Sequence, residues 1–169
     1  MGETKVRAIR PADKPYWARL FVAYGVFYDT AFSQKIVDDV FARLIEHTGE
    51  IDALVATDTE DHPIGFAHFR LQFDTFTAGP GWYLDDLYVD PAARGTGAAT
   101  ALIETLGELA TASGGGTIRW ITAADNTTAQ RVYDRVAERT TWVTYEKVLA
   151  QDPDATEDAE DDTHLEGHN

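Results

Sequence analysis

No cysteine occurs among the 169 residues. That absence removes disulfides, thiolate metal sites and a cysteine acyl-enzyme together. Basic residues are scarce: Lys and Arg number 14 against 29 Asp and Glu, for a net charge of −15. Nucleic-acid binding needs a basic footprint to meet the phosphates, so no nucleic-acid partner is expected. No apolar run approaches the roughly 18 residues of a membrane span, so no membrane partner is expected either. The start, Met1-Gly2-Glu3-Thr4-Lys5, has no apolar export signal, and a cytoplasmic location is expected.

The acidity is concentrated at one end. Gln151–Asn169 holds eight acids and no Lys or Arg, and without it the net charge falls from −15 to −7. Such a composition cannot bury enough apolar surface to fold, so residues 1–149 read as one domain and 150–169 as a disordered acidic tail. A negative field draws in cationic small molecules or basic peptides. Solubility alone is the plainer explanation for it. His164 and His168 read as solvated, and no metal site is expected.

Hydrophobic periodicity divides the body into alternating elements. Lys5–Arg10 reads as a strand, and Pro11-Ala12-Asp13 as a turn and cap before a helix from Lys14 to Tyr24. Gly25 should break that helix, and Ser33 should cap a second one running to Glu46. Ala53–Thr57, Ile64–Gln72, Trp82–Val89, Ile118–Thr122 and Trp142–Leu149 read as strands. Helices are expected after Gly97 and over Thr127–Ala137, with Gly114-Gly115-Gly116 closing the first of these. This order is a mixed α/β fold around a central sheet.

The most informative stretch is Leu87-Tyr88-Val89-Asp90-Pro91-Ala92-Ala93-Arg94-Gly95-Thr96-Gly97-Ala98-Ala99. A strand runs through a turn into a glycine-spaced loop that opens directly into a helix. Bare backbone there lets several N–H groups converge on one anion at the positive end of the helix dipole. The pattern suggests a pyrophosphate site. A P-loop would need Lys and Ser or Thr after Gly97, where Ala98 and Ala99 stand; a dinucleotide fingerprint would need glycine at Thr100.

What remains, Arg94-x-x-Gly97-x-Ala99, resembles the Arg/Gln-x-x-Gly-x-Gly/Ala signature of the GNAT superfamily of N-acetyltransferases. The resemblance covers about residues 4 to 149. It implies a mostly antiparallel, twisted central sheet flanked by helices and splayed between the fourth and fifth strands, Trp82–Val89 and Ile118–Thr122. It also implies acetyl-CoA as co-substrate, with Arg94, Gly95, Thr96, Gly97, Ala98 and Ala99 on the pyrophosphate. Leu87, Tyr88, Val89 and Asn126 match the family positions flanking the pantetheine arm. Homodimers are common in the family, and a homodimer is expected.

Asn126-x-x-Ala129-x-x-x-Tyr133 is similar to the family pattern in which the tyrosine protonates the departing thiolate. Seven residues is nearly two helical turns, so one face presents both groups. A phenol with an ordinary pKa near 10 stays protonated at neutral pH, which suits an acid. Read by itself, Tyr133 would pass for a packing residue. The attacking amine must also lose a proton, and Asp85 and Asp86 are the candidates. Neighbouring strand residues face opposite ways unless a bulge intervenes, so at most one is expected to look into the site.

Ile64-Gly65-Phe66-Ala67 with Tyr83-Leu84-Asp85-Asp86-Leu87 resembles the polyamine acetyltransferase branch, which has an acidic pair in this strand. Residues 133–137 resemble a fungal branch acting on histones, polyamines or D-amino acids. The implied acceptor is a primary amine, either a small cationic one (polyamine, diamine or lysine-like) or one in a basic peptide. Asp86 would hold the cation, and Tyr24 and Tyr28 would wall the pocket. Phe27, Trp17 and His68 read as packing residues. An acetyl-CoA sensor without turnover is the alternative reading.

Overall fold

The structure is a computed structural model that describes residues 4–149; the acidic tail at 150–169 lies outside the described residues. Five strands form one sheet in the order β1-β2-β3-β4-β5. They are β1 (Lys5–Ala8), β2 (Asp52–Thr57), β3 (Pro63–Asp74), β4 (Gly79–Val89) and β5 (Ile118–Arg119). The first four pair antiparallel, and β5 joins β4 in parallel. Four helices accompany them: α1 (Lys14–Phe27), α2 (Gln34–Glu46), α3 (Ala98–Ala112) and α4 (Thr127–Tyr133).

Strand alternation sorts the core into two clusters. Ala53, Val55, Phe66 and Tyr88 pack against Trp17, Leu20 and Phe21 of α1 and Val37, Phe41 and Leu44 of α2. Leu54, Ala56, Ala67, Phe69, Trp82 and Leu84 pack against Leu102, Ile103 and Leu106 of α3. The sheet is therefore covered on both faces, as a period-2 pattern with apolar residues on each side requires.

Arg7 locks the first strand to its surroundings. Its guanidinium grips Asp13 in bidentate fashion at 2.7 and 2.9 Å and reaches Asp61 in the β2–β3 turn at 2.8 Å. Asp13 is buried and also accepts the Arg10 N–H, so its charge is paired rather than stranded. Ser33 caps α2 as its position promised, its hydroxyl accepting the Ile36 N–H at 3.3 Å.

The structure departs from the sequence reading in several places, β1 and β5 among them, which end at Ala8 and Arg119 rather than Arg10 and Thr122. Gly25 does not end α1, which continues to Phe27. A Cβ at Gly25 would stand 2.7 Å from the Phe32 ring and 2.8 Å from the Thr30 carbonyl oxygen, so the glycine admits a close chain crossing. Strand β3 runs on to Asp74 and β4 begins at Gly79, so the Phe73–Pro80 segment read as a loop is a hairpin closed by a turn at 75–78. Helix α4 stops at Tyr133 rather than Ala137. Residues 140–149 form no strand. Alternating apolar residues make a strand only when an edge supplies ladder partners.

One topological feature positions the site. Strand β4 is paired with β3 along its whole length, from Gly79 to Val89. Its pairing with β5 covers only Trp82 and Tyr83. From Leu84 to Val89 the β5 side of the strand is open, which is the splay expected between the fourth and fifth strands.

Candidate active site

The loop after β4 is held by short local contacts. Asp90 caps its first turn, its side chain accepting the Ala92 N–H at 2.9 Å, and Arg19 pairs with the same carboxylate at 2.7 Å. Thr96 donates its hydroxyl to the Ala93 carbonyl at 2.8 Å. Gly95 and Gly97 have φ of +79° and +88°, a region that side chains with a Cβ rarely adopt. A Cβ at either glycine would meet nothing within 4 Å. The loop thus presents bare backbone to open space, and Gly97 is the N-cap of α3. The N–H groups of Ala98 and Ala99 lie in the first turn, where no intrahelical acceptor exists.

Ahead of the loop, Tyr88 is buried toward α1, while Leu87 and Val89 turn toward α3. Their backbone belongs to the open edge of β4. On the far side, Asn126 is the N-cap of α4. Its Oδ1 accepts the Ala129 N–H and its Nδ2 donates to Thr122 Oγ1, both at 3.3 Å.

The acidic pair lies at a break in the β3–β4 ladder. His68 is opposite Asp86 and Phe69 opposite Leu84, leaving Asp85 as the extra residue of a bulge. A bulge undoes the alternation, and here it puts both carboxylates on the α1 side. Tyr24 of α1 donates to Asp86 Oδ1 at 2.6 Å, and Arg70 reaches Asp85 Oδ1 at 3.1 Å from the β3 position two beyond His68. The expectation that one carboxylate would turn away is corrected by this bulge.

The two acids differ in their surroundings. Burial pushes the Asp85 carboxyl above its ordinary range; Arg70 opposes that rise and the Asp86 charge adds to it. Asp85 Oδ2 is buried and has no hydrogen-bond partner. Burial also acts to raise Asp86, but the His68 hydrogen bond, the electrostatic pull of that ring and then the Tyr24 hydrogen bond outweigh it and hold that carboxyl below its usual range.

Residues 17–137 match the acetyltransferase (GNAT) family. The chain belongs to this family. The GNAT chain is 34% identical over 143 residues to the D-amino-acid N-acetyltransferase HPA3 of Saccharomyces cerevisiae, covering 84% of this chain and 89% of that one. Its fold is shared with the ribosomal-protein-alanine N-acetyltransferase of Brucella melitensis biovar Abortus 2308. That match has a TM-score of 0.74 and 20% identity over 88% of this chain and 100% of the other. AAC(6')-Iy, solved with the bisubstrate analogue CoA-S-monomethyl-acetylneamine, aligns with a TM-score of 0.75 and 18% identity over 88% and 100%. The protein is an acetyl-transferring enzyme.

Tyr24, Tyr28 and Tyr133 lie close to one another and to the acidic pair. Burial pushes the Tyr133 phenol up to about 12, with the nearby Tyr28 adding to the shift. Tyr133 packs edge-on against Trp120, ring centres 5.5 Å apart. Burial also raises Tyr28, Asp86 adds to that rise, and a hydrogen bond with the Asn126 side chain opposes it. Tyr24 is raised by burial, then by its bond to Asp86 and more weakly by Tyr133. Residues from α1, β4 and α4 therefore sense one another across a single cluster.

Phe27 is not the packing residue expected, since about half of its surface is exposed. It lies edge-on to Tyr28, ring centres 5.0 Å apart. Sequence reasoning passed over Arg70 and filed His68 as structural. The available signal was an ionisable side chain within the apolar run Ile64-Gly65-Phe66-Ala67-His68-Phe69.

Among the described residues no group of three or more His, Cys, Asp or Glu could hold a metal ion, and no helix is long and apolar enough to cross a membrane.

Proposed function

We propose that this protein transfers the acetyl group of acetyl-CoA directly to a primary amine. The observation that carries the reading is Asp85. It is a partly buried carboxyl whose Oδ2 is buried and unpartnered, with its pKa raised, on the open-edged stretch of a strand that leads into an anion-binding loop. A general base needs this combination of proximity, free lone pairs and raised pKa.

In this reading the Arg94–Ala99 backbone and the first turn of α3 hold the pyrophosphate, while Leu87, Tyr88, Val89 and Asn126 flank the pantetheine arm. The ammonium gives a proton to Asp85 and its nitrogen attacks the thioester carbon. A backbone N–H near Leu87 steadies the oxyanion. The carbon–sulfur bond then breaks, Tyr133 delivers its phenolic proton to the leaving thiolate, and the second proton that the nitrogen sheds as the neutral amide forms restores the phenol. Asp86 faces the cationic amine, with Tyr24 and Tyr28 as walls, rings 5.0 Å apart at centre and close to perpendicular.

The proposed acceptor is a small cationic amine: a polyamine, a diamine or a lysine-like amine. A second reading, an α-amino acid, is favoured by Arg70, whose guanidinium beside Asp85 offers a partner to a substrate carboxylate. Similarity to a D-amino-acid N-acetyltransferase supports the same reading. We also propose a homodimer; Trp142, Val143, Tyr145, Val148 and Leu149 are exposed, an apolar concentration that a second copy would cover. Sedimentation equilibrium checks it, and a strictly monomeric species rejects it.

The test of function is CoA release with acetyl-CoA and spermidine, putrescine, lysine, D-amino acids or a histone-tail peptide. Turnover of an amine is expected. Acetyl-CoA binding with no turnover across a broad amine panel would put a sensor in place of the enzyme.

A further inference from the structure

His68 is fully buried, yet both of its ring nitrogens are engaged. Trp17 Nε1 lies 2.9 Å from His68 Nε2, and His68 Nδ1 lies 2.9 Å from Asp86 Oδ2. The indole N–H is a donor only, so Nε2 must keep its lone pair. The ring proton therefore resides on Nδ1 and is donated to Asp86. An imidazolium would turn an Nε2–H against the Trp17 N–H, two donors head to head with no acceptor between them. Phe66 stacks on the imidazole at 4.4 Å, and Phe21 closes another side at 5.7 Å, so the ring has no room to swing out of this conflict.

The consequence falls on Asp86. Its Oδ2 takes the Nδ1–H and its Oδ1 takes the Tyr24 hydroxyl, two neutral donors that stabilise the carboxylate without cancelling its charge. Among the described residues no Lys or Arg pairs with Asp86, and the one guanidinium of this cluster, Arg70, pairs with Asp85 instead. The charged and titratable groups around His68 are thus Asp86 and Asp85 on β4, Arg70 on β3 and Tyr24 on α1. A charged His68 would itself neutralise Asp86 and occupy the place of a cationic substrate. A neutral one leaves a full negative charge for the incoming ammonium.

We propose that His68 is a positioning residue that holds Asp86 as an ionised anchor for the acceptor amine, and that Trp17 enforces this by locking the imidazole in its neutral Nδ1–H form. The proposal rests on the acetyltransferase reading above and divides the acidic pair, with Asp86 holding the amine and Asp85 taking its proton.

Two measurements on the full chain test it. Long-range proton–nitrogen spectra of ¹⁵N-histidine-labelled protein read the tautomer directly, whether or not any amine is turned over. The expected result is a single Nδ1–H form for His68 at pH 7, as the Trp17 and Asp86 contacts require. In Trp17→Phe, which removes the N–H that Nε2 accepts, the Nε2–H tautomer should become populated. An Nε2–H form or an imidazolium at pH 7 in the wild-type protein overturns the lock.

The second measurement is steady-state kinetics with the amine that the panel turns over fastest. His68→Leu should raise the acceptor KM roughly ten- to a hundredfold, the usual loss for a hydrogen bond to a charged group, with the acetyl-CoA KM unchanged. His68→Asn restores an amide donor near the Nδ1 position and should recover most of the acceptor KM. It also serves should His68→Leu fail to fold. Equal rises in both KM values, or no rescue by asparagine in a folded variant, reduce His68 to a packing residue. Failure to turn over any amine would remove the function while the spectra still decide the tautomer.

Discussion

The donor loop and the acceptor cluster are built by opposite means. The loop from Asp90 to Ala99 is ten consecutive residues shaped by their own backbone: two positive φ angles, an aspartate cap and a threonine turn. The cluster around Asp86 joins Trp17 and Tyr24 of α1, His68 and Arg70 of β3, and the bulged carboxylates of β4; Tyr24 and Asp86 are 62 residues apart in the chain. The loop's polar groups are backbone N–H groups in open space, and the cluster's are side chains, buried at Trp17 and His68 and partly buried at Tyr24 and the two aspartates, that must satisfy one another. A backbone device tolerates change elsewhere and fails on a change to itself. A buried network fails whenever one partner is removed, because the others are then stranded in a low-dielectric setting.

The largest effect should come from Tyr133, which belongs to neither region and acts on the bond broken between their substrates. Tyr133→Phe is expected to lower kcat by about 10²–10⁴ while both KM values stay near wild type. Unchanged kcat would hand the thiolate proton to another donor. Because burial lifts this phenol to about 12, it stays protonated at neutral pH and should impose no alkaline limb there.

Asp85→Asn tests the acceptor side. A base must be ionised to work, so the wild-type rate should rise as pH climbs through the Asp85 pKa. That rise should fall above the ordinary aspartate value of about 3.9, since burial raises this group. The variant should lose the acid limb and about 10² in kcat. If the limb persists in the variant, it belongs to another group.

Gly97→Val sharpens the contrast from the donor side. A Cβ at φ +88° meets no protein atom, so the variant is strained at the backbone without a clash in the free protein. The side chain would stand where the pyrophosphate is proposed to lie. Acetyl-CoA affinity by calorimetry should fall about tenfold or more, an effect of roughly 1.4 kcal/mol, with tautomer and acceptor geometry at Asp86 untouched. Undiminished affinity would detach the loop from the donor.

The same contrast explains what was legible in the sequence. Strand, turn, Gly95, Gly97 and helix are consecutive, so the loop and its family could be read from local signals. Asn126 and Tyr133 were legible for the same reason, since seven residues on one helix fix their relation. The cluster was legible only in part: Asp85, Asp86 and Tyr24 could be named from the resemblance, but not their arrangement. Whether Asp85 and Asp86 share a face depends on a one-residue slip between β3 and β4, which alternation within β4 cannot reveal. His68 looked structural because its partners, Trp17 and Asp86, are 51 and 18 residues away. Gly25 was misread because its reason is the way the chain folds back at Thr30 and Phe32, which hydrophobic periodicity does not report. Trp142–Leu149 alternates like a strand, but pairing is a property of two segments.

The smallest expected effect concerns Asp90, where a long-range contact touches the local loop. Its carboxylate is held below the ordinary range first by the Arg19 hydrogen bond and then by the Ala92 N–H. A depressed carboxyl stabilises the fold above the unfolded-state pKa, and that contribution is lost as pH falls through the lower folded-state value. Asp90→Ala removes the cap and should cost about 1 kcal/mol at neutral pH by denaturant melts. The difference between variant and wild type should shrink as pH drops below the usual aspartate range, because the wild-type group is then protonated as well. Acetyl-CoA affinity should change by no more than a few-fold, since Gly95 and Gly97 keep their own φ values. A large loss of affinity with little loss of stability would mean that Arg19 and α1 govern the donor loop through Asp90, and the division between a local and a long-range region would then be wrong.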